Sequence, residues 1–114
     1  MSTNIIETDE ILSFKEKQIS FLRCTPTATD QDLFEISRSF TVSNLICCHN
    51  TIITDRGLFY LKPKYIYFGD NPNFTKDGIL AAKPKQIFPD HNTRLSGADY
   101  KELEQNGISV YYGV

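Results

Sequence analysis

The stretch Lys62-Pro63-Lys64-Tyr65-Ile66-Tyr67-Phe68-Gly69-Asp70-Asn71 decides how this chain is read, because Lys83-Pro84-Lys85-Gln86-Ile87-Phe88-Pro89-Asp90-His91-Asn92 echoes it 21 residues later. Each copy is a turn, a short apolar strand, and a set of polar side chains released at the strand's carboxyl end. In α/β proteins that end is where ligand-binding groups gather. The two copies therefore predict successive strands of one parallel sheet.

Upstream, Gln18 to Arg23 has strand character, Thr25-Pro26-Thr27 is a turn, and Thr29 or Asp30 caps a helix through Ile36. Asp30 and Asp32 suit its first turn. Phe40 to Val42 forms a second strand ending near Asn44, whereas Leu45 to Thr54 mixes β-branched and polar residues and fits no single period. Asp55-Arg56-Gly57 is a turn signal before the apolar residues Leu58 to Leu61. Downstream, Thr75 caps a helix reaching Ala82, weakened by Gly78, and Gln86 to Phe88 is the next strand. Ser96, with Asp99 three residues on, opens the best-signalled helix; Asn106-Gly107 stops it, and Ile108 to Tyr112 returns as a strand.

Strands alternating with helices imply right-handed βαβ units. The expected class is α/β, a Rossmann-like, mainly parallel sheet with helices on both faces. Residues 1–14 fit no period cleanly and read as an N-terminal arm or short helix, with residues 15–114 as a single α/β domain.

At 114 residues the chain is long enough for one real core and too short for separate nucleotide and substrate domains. Twelve basic against fourteen acidic residues give a net charge of −2 with no block of like charges, which argues against nucleic acid as a partner. No apolar run approaches the roughly 20 residues of a membrane span, and the polar N-terminus lacks a signal-peptide pattern. The expectation is a cytoplasmic chain. Cys24, Cys47 and Cys48 are odd in number and suit reduced thiols. Adjacent Cys47, Cys48 and His49 cannot easily wrap one tetrahedral ion and have no second Cys/His pair, so no metal and no cofactor are expected.

Parallel neighbouring strands lie about 4.8 Å apart, close enough for Asp70 and Asn71 at one strand end and Asp90, His91 and Asn92 at the next to meet one ligand. Asn71 and Asn92 both donate and accept, as recognition of a sugar or base edge requires. His91 and Asp70 are the candidate catalytic groups, since histidine titrates near neutral pH and a carboxylate can orient it. Against this, Asp, Asn and Pro also simply end strands and build turns.

Lys17 to Phe74 resembles the opening of the nucleotide-binding domain of bacterial sialyltransferases and related lipopolysaccharide and flagellin glycosyltransferases. The pieces that carry the resemblance are Gln18 to Leu22, the turn Arg23-Cys24-Thr25-Pro26-Thr27, the strand Phe40-Thr41-Val42-Ser43-Asn44, and Tyr65-Ile66-Tyr67-Phe68-Gly69-Asp70-Asn71-Pro72. In that family the turn is Gly-Asn-Gly-Pro-Ser; here Arg23 and Thr25 replace both glycines and Cys24 the asparagine, which holds a nucleotide further from the backbone. The resemblance implies a nucleotide or nucleotide-sugar as ligand, with Asn44 and Asn71 as contacts and Thr25 and Thr27 as weaker ones. Its implied activity, were the chain an enzyme, is glycosyl transfer in surface-glycan synthesis. The acceptor-site and catalytic residues of that family lie beyond the matching strands.

Three other readings compete. A non-catalytic interaction or inhibitor protein would keep the fold without the chemistry, with Tyr65, Tyr67, Tyr111 and Tyr112 as anchors for a protein partner or a second copy in a homo-oligomer. A helix-turn-helix over Asp32 to Ile46 with a wing at Arg56-Gly57 is opposed by the acidic balance and β-branched content. A haloacid-dehalogenase-type phosphatase, suggested by Phe68-Gly69-Asp70-Asn71-Pro72, lacks the Asp-x-Asp strand it needs.

Overall fold

Leu22, Leu45, Ile66 and Ile87 are fully buried and stand side by side on adjoining strands. They form one line through an all-parallel sheet of six strands: β1 (Ile5–Glu7), β2 (Gln18–Arg23), β3 (Thr41–Ile46), β4 (Tyr65–Tyr67), β5 (Gln86–Phe88) and β6 (Ser109–Val110). Four α-helices connect β2 through β6 in turn: α1 (Asp30–Ser37), α2 (Asp55–Leu61), α3 (Lys76–Ala82) and α4 (Gly97–Gln105). The structure, a computed structural model, describes residues 5–13, 15, 17–90, 92 and 94–111. The chain is thus α/β with a Rossmann-like parallel sheet, as its alternation of strands and helices predicts. None of the described helices is long and apolar enough to cross a membrane.

The placement of the helices departs from expectation. Strands follow one another across the sheet in chain order, so every crossover steps in the same direction. A doubly wound sheet reverses its order once, and the reversal is what covers both sides. Without one, right-handed crossovers put all helices on the same side. There α1 packs on α2, α2 on α3 and α3 on α4. The expectation of helices on both faces is corrected: one face is covered, and the other carries half-buried Phe21, Asn44, Ile46, Tyr65, Tyr67 and Phe88.

The result is a β/α solenoid in which the described strands and helices pack chiefly on those of the neighbouring coils. Its buried positions recur as Val42, Leu45 and Cys47, then Pro63, Ile66 and Phe68, then Pro84, Ile87 and Pro89, with Asn50, Asn71 and Asn92 three residues after each set. This is the apolar spacing of leucine-rich solenoids. Four residues after each asparagine comes a helix cap, Thr54, Thr75 or Ser96, whose side chain accepts an amide hydrogen of the first turn; Thr29 does the same for α1. Each such cap contributes about 1 kcal/mol.

Two segments read differently in three dimensions. Asp55-Arg56-Gly57, a turn by composition, is the first turn of α2 because Thr54 caps it. The expected N-terminal arm holds β1, which pairs with β2 through Ile5 to Phe21 and Glu7 to Arg23, and a 3-10 helix over Thr8–Ser13 that buries Ile11. The last strand spans Ser109–Val110, shorter than expected, and Tyr112 lies outside the described residues.

Candidate functional site

The predicted site residues separate into two environments. Asn71 is fully buried. Its amide donates to the Ile53 carbonyl of the preceding coil at 3.1 Å, and its Oδ1 accepts the Asn73 N–H at 2.8 Å. Asn92 donates to the carbonyls of Phe68 and Asn71 at 3.0 and 2.7 Å and accepts the Arg94 N–H at 2.8 Å. Asn50, which sequence reasoning passed over, completes the series: it donates to Thr25 and Ala28 carbonyls, each at 2.8 Å, and accepts from Ile52 and Ile53. The three form a ladder in which every amide ties its coil to the one before. Their shared spacing of 21 residues was the available signal.

A second ladder runs beside it. Asp30 accepts from the N–H and hydroxyl of Thr54 and from the Gly57 N–H, and Asp55 accepts from the N–H and hydroxyl of Thr75. Gly57 and Gly78 make room for these carboxylates: a Cβ on Gly57 would lie 2.6 Å from Asp30 Oδ1, and one on Gly78 would overlap Asp55. Lys76 stands where a third aspartate would, and pairs with Glu102 at 3.1 Å instead.

Asn44, by contrast, lies on the open face, where its amide donates to the Ser20 carbonyl at 2.9 Å. Asn44 and Asn71 thus sit on opposite sides of the sheet and do not converge. The Thr25 hydroxyl lies 3.2 Å from that of Thr8, and Thr27 is exposed. Asp70 is exposed, with a carboxylate oxygen 3.8 Å from His49 Nδ1. His91 lies outside the described residues.

What the open face gathers is an aromatic ladder. Register aligns Glu7, Arg23, Ile46, Tyr67 and Phe88 in one rank across β1 to β5, and the hydrogen bond from Tyr111 N–H to the Ile87 carbonyl extends the rank to Tyr111. Tyr67 and Phe88 stack with centroids 4.2 Å apart and planes at 4°; Phe88 and Tyr111 lie 5.6 Å apart. At the other end of the rank Arg23 pairs with Glu7 at 3.5 Å. Tyr111 is 52% exposed and Tyr67, Ile46 and Phe88 are half-buried. Beyond the ladder, a cleft of about 220 Å³ opens among Cys48, Tyr67, Phe88, Asp90 and Tyr111.

The adjacent cysteines divide between the two faces. Cys47 is fully buried with its Sγ 3.5 Å from that of Cys24. Burial, then the Cys24 contact, pushes its thiol pKa well up. Cys48 is half-buried beside the cleft; its pKa is raised by burial and by Asp70 and Asp90, against the lowering effect of the Gly69 backbone N–H. Both are therefore protonated, weakly nucleophilic thiols at neutral pH.

Compared with known proteins, the chain matches no family model, no curated protein and no solved structure.

Proposed function

We propose that this chain is a non-catalytic interaction module that binds a protein partner through the open face of its sheet. The observation that carries this reading is the ladder Ile46–Tyr67–Phe88–Tyr111: aromatic and apolar side chains in one rank, on a rigid sheet, where a sheet covered on both sides would have buried them. Tyr and Phe anchors dominate interface energetics, and rigid ones lose little entropy on binding. Solenoids present such faces because stacking coils leaves one side of every strand uncovered.

The test is a photo-crosslinking amino acid placed at Tyr111 and, as a control, at Phe59 on α2, which is 51% exposed on the helical side. The expected result is a discrete protein adduct from position 111 and none from 59. Equal labelling from both positions counts against the open face.

A second reading, a nucleotide or nucleotide-sugar bound at the strand ends, has one observation in its favour besides the sialyltransferase resemblance. The cleft beside Tyr67 and Phe88 opens at the carboxyl ends of β4 and β5, where a base edge would meet Asp90. It predicts that a cytidine or uridine nucleotide raises the melting temperature. The interaction reading predicts no shift.

A further inference from the structure

The net charge of −2 conceals a strong separation of charge along the strands. Lys17, Lys64 and Lys85 each stand immediately before a strand, Lys62 and Lys83 close α2 and α3, Arg38 closes α1, and Lys15 lies nearby in sequence; all seven are exposed. Because every strand is parallel and every helix returns against them, these groups share one rim of the sheet. Backbone hydrogen bonds fix their neighbourhood: Lys85 N–H donates to the Lys64 carbonyl at 2.7 Å, and Thr41 N–H to the Lys17 carbonyl at 2.8 Å. Among the described residues, Glu35, Glu102 and Glu104 fall in the last turns of α1 and α4, and Glu102 is paired with Lys76. Most acids, including Asp30, Asp55, Asp70, Asp77, Asp90 and Asp99, lie at the opposite end.

Part of this pattern follows from the helices, whose amino ends favour acids and carboxyl ends favour bases. Four carboxyl ends contribute about −2 charges in total, which offsets only part of seven cations. Two further observations exceed capping. Lys62 and Lys83 both adopt left-handed backbone, at φ 47° and 55°, directly before a proline. Glycine is the usual residue there, and lysine costs about 1 kcal/mol at each. In addition, a cleft of about 420 Å³ opens on this rim, where Lys62 and Lys64 meet Gln18, Ser20, Thr41 and Ser43.

We infer that the lysine rim docks an acidic segment of a polypeptide partner, running across the starts of β2 to β5 beside the open face. The inference rests on the interaction reading above and adds the chemistry of the partner. Lys64 and Lys85 stand about 4.8 Å apart on neighbouring strands, and Lys62 and Lys83 repeat the pair one turn away. A short acidic segment matches this strip, and its apolar neighbours then reach the aromatic ladder. A longer, uniformly charged nucleic acid laid along the strands would instead meet exposed Asp70 and Asp90, six and five residues beyond Lys64 and Lys85, or about 15–20 Å away at the opposite ends of the strands.

The test is fluorescence anisotropy of a labelled oligoglutamate peptide at about 50 mM salt, with the full chain, against labelled oligouridylate. The expected result is salt-sensitive binding of oligoglutamate that weakens about tenfold or more in Lys64→Glu/Lys85→Glu. Arg56→Glu/Lys101→Glu, which changes net charge equally at exposed positions off the rim, stays within about twofold. Melting temperatures establish that both variants fold. Absent binding, equal weakening by the two variants, or tighter binding of oligouridylate overturns the inference. Crosslinking from position 111 reads the aromatic face separately, so failure of the lysine rim and failure of the interaction reading give different results.

Discussion

Asn71 shows how a correct residue can be given the wrong role. Its position at a strand end made it a ligand contact by sequence; in the fold both ends of its amide are used within the protein, and the side chain is fully buried. Removing it leaves the Ile53 carbonyl without that donor and the Asn73 N–H without its acceptor. We expect Asn71→Ala to lower unfolding free energy by about 2–3 kcal/mol in urea titrations, whereas Asn44→Ala on the open face costs under about 1. The signal for the ladder was the spacing of Asn50, Asn71 and Asn92, but a spacing cannot say which side of a strand an amide faces. Cys47 and Cys48 divide similarly. A thiol-reactive disulfide reagent is expected to label Cys48 alone in the native chain and all three thiols after denaturation. Cys47 also gives a pH dependence: its folded pKa is raised, so stability is complete below the unfolded thiol value of about 8.5 and falls as pH rises through it toward the folded value. Cys47→Val is expected to flatten that alkaline limb in thermal melts; an unchanged limb contradicts the assignment.

At the level of elements, the caps were legible and the register was not. Thr29, Thr75 and Ser96 announced their helices because a cap is a local event of four residues. The helix α2 was missed because Gly57 reads as a turn residue, although its lack of a Cβ serves Asp30 of the neighbouring coil. Two glycines of this chain consequently predict opposite outcomes. Gly78→Ala drives a methyl into Asp55 and displaces it from Thr75, and is expected to lose about 1–3 kcal/mol despite better helix propensity. Gly97, in the first turn of α4, would have nothing within 4 Å of an added methyl, so Gly97→Ala is expected to gain about 0.5 kcal/mol. Chemical denaturation distinguishes the signs. The Ser96–Asp99 capping box adds an acid limb: the Ser96 backbone N–H holds the Asp99 pKa down, so its contribution is present above about pH 3.9 and lost as pH falls through the lower folded value.

For the whole molecule, alternation of strand and helix was enough to read an α/β chain with a parallel sheet. Strand order was not readable, because a crossover that steps left and one that steps right have the same local sequence. That single unknown decides whether the sheet has one covered face or two, and hence whether Tyr67 and Phe88 are core or surface. The charge separation was hidden for the same reason: lysines spread from 15 to 85 form no run until the coils stack them on one rim. The most direct test of the central claim is the dissociation constant of the partner crosslinked at position 111, measured with purified chain. We expect Tyr67→Ala/Tyr111→Ala to weaken it at least about tenfold with melting temperature little changed, and Phe59→Ala to leave it unaltered. Undiminished affinity in the Tyr67→Ala/Tyr111→Ala variant contradicts the open face as the binding surface.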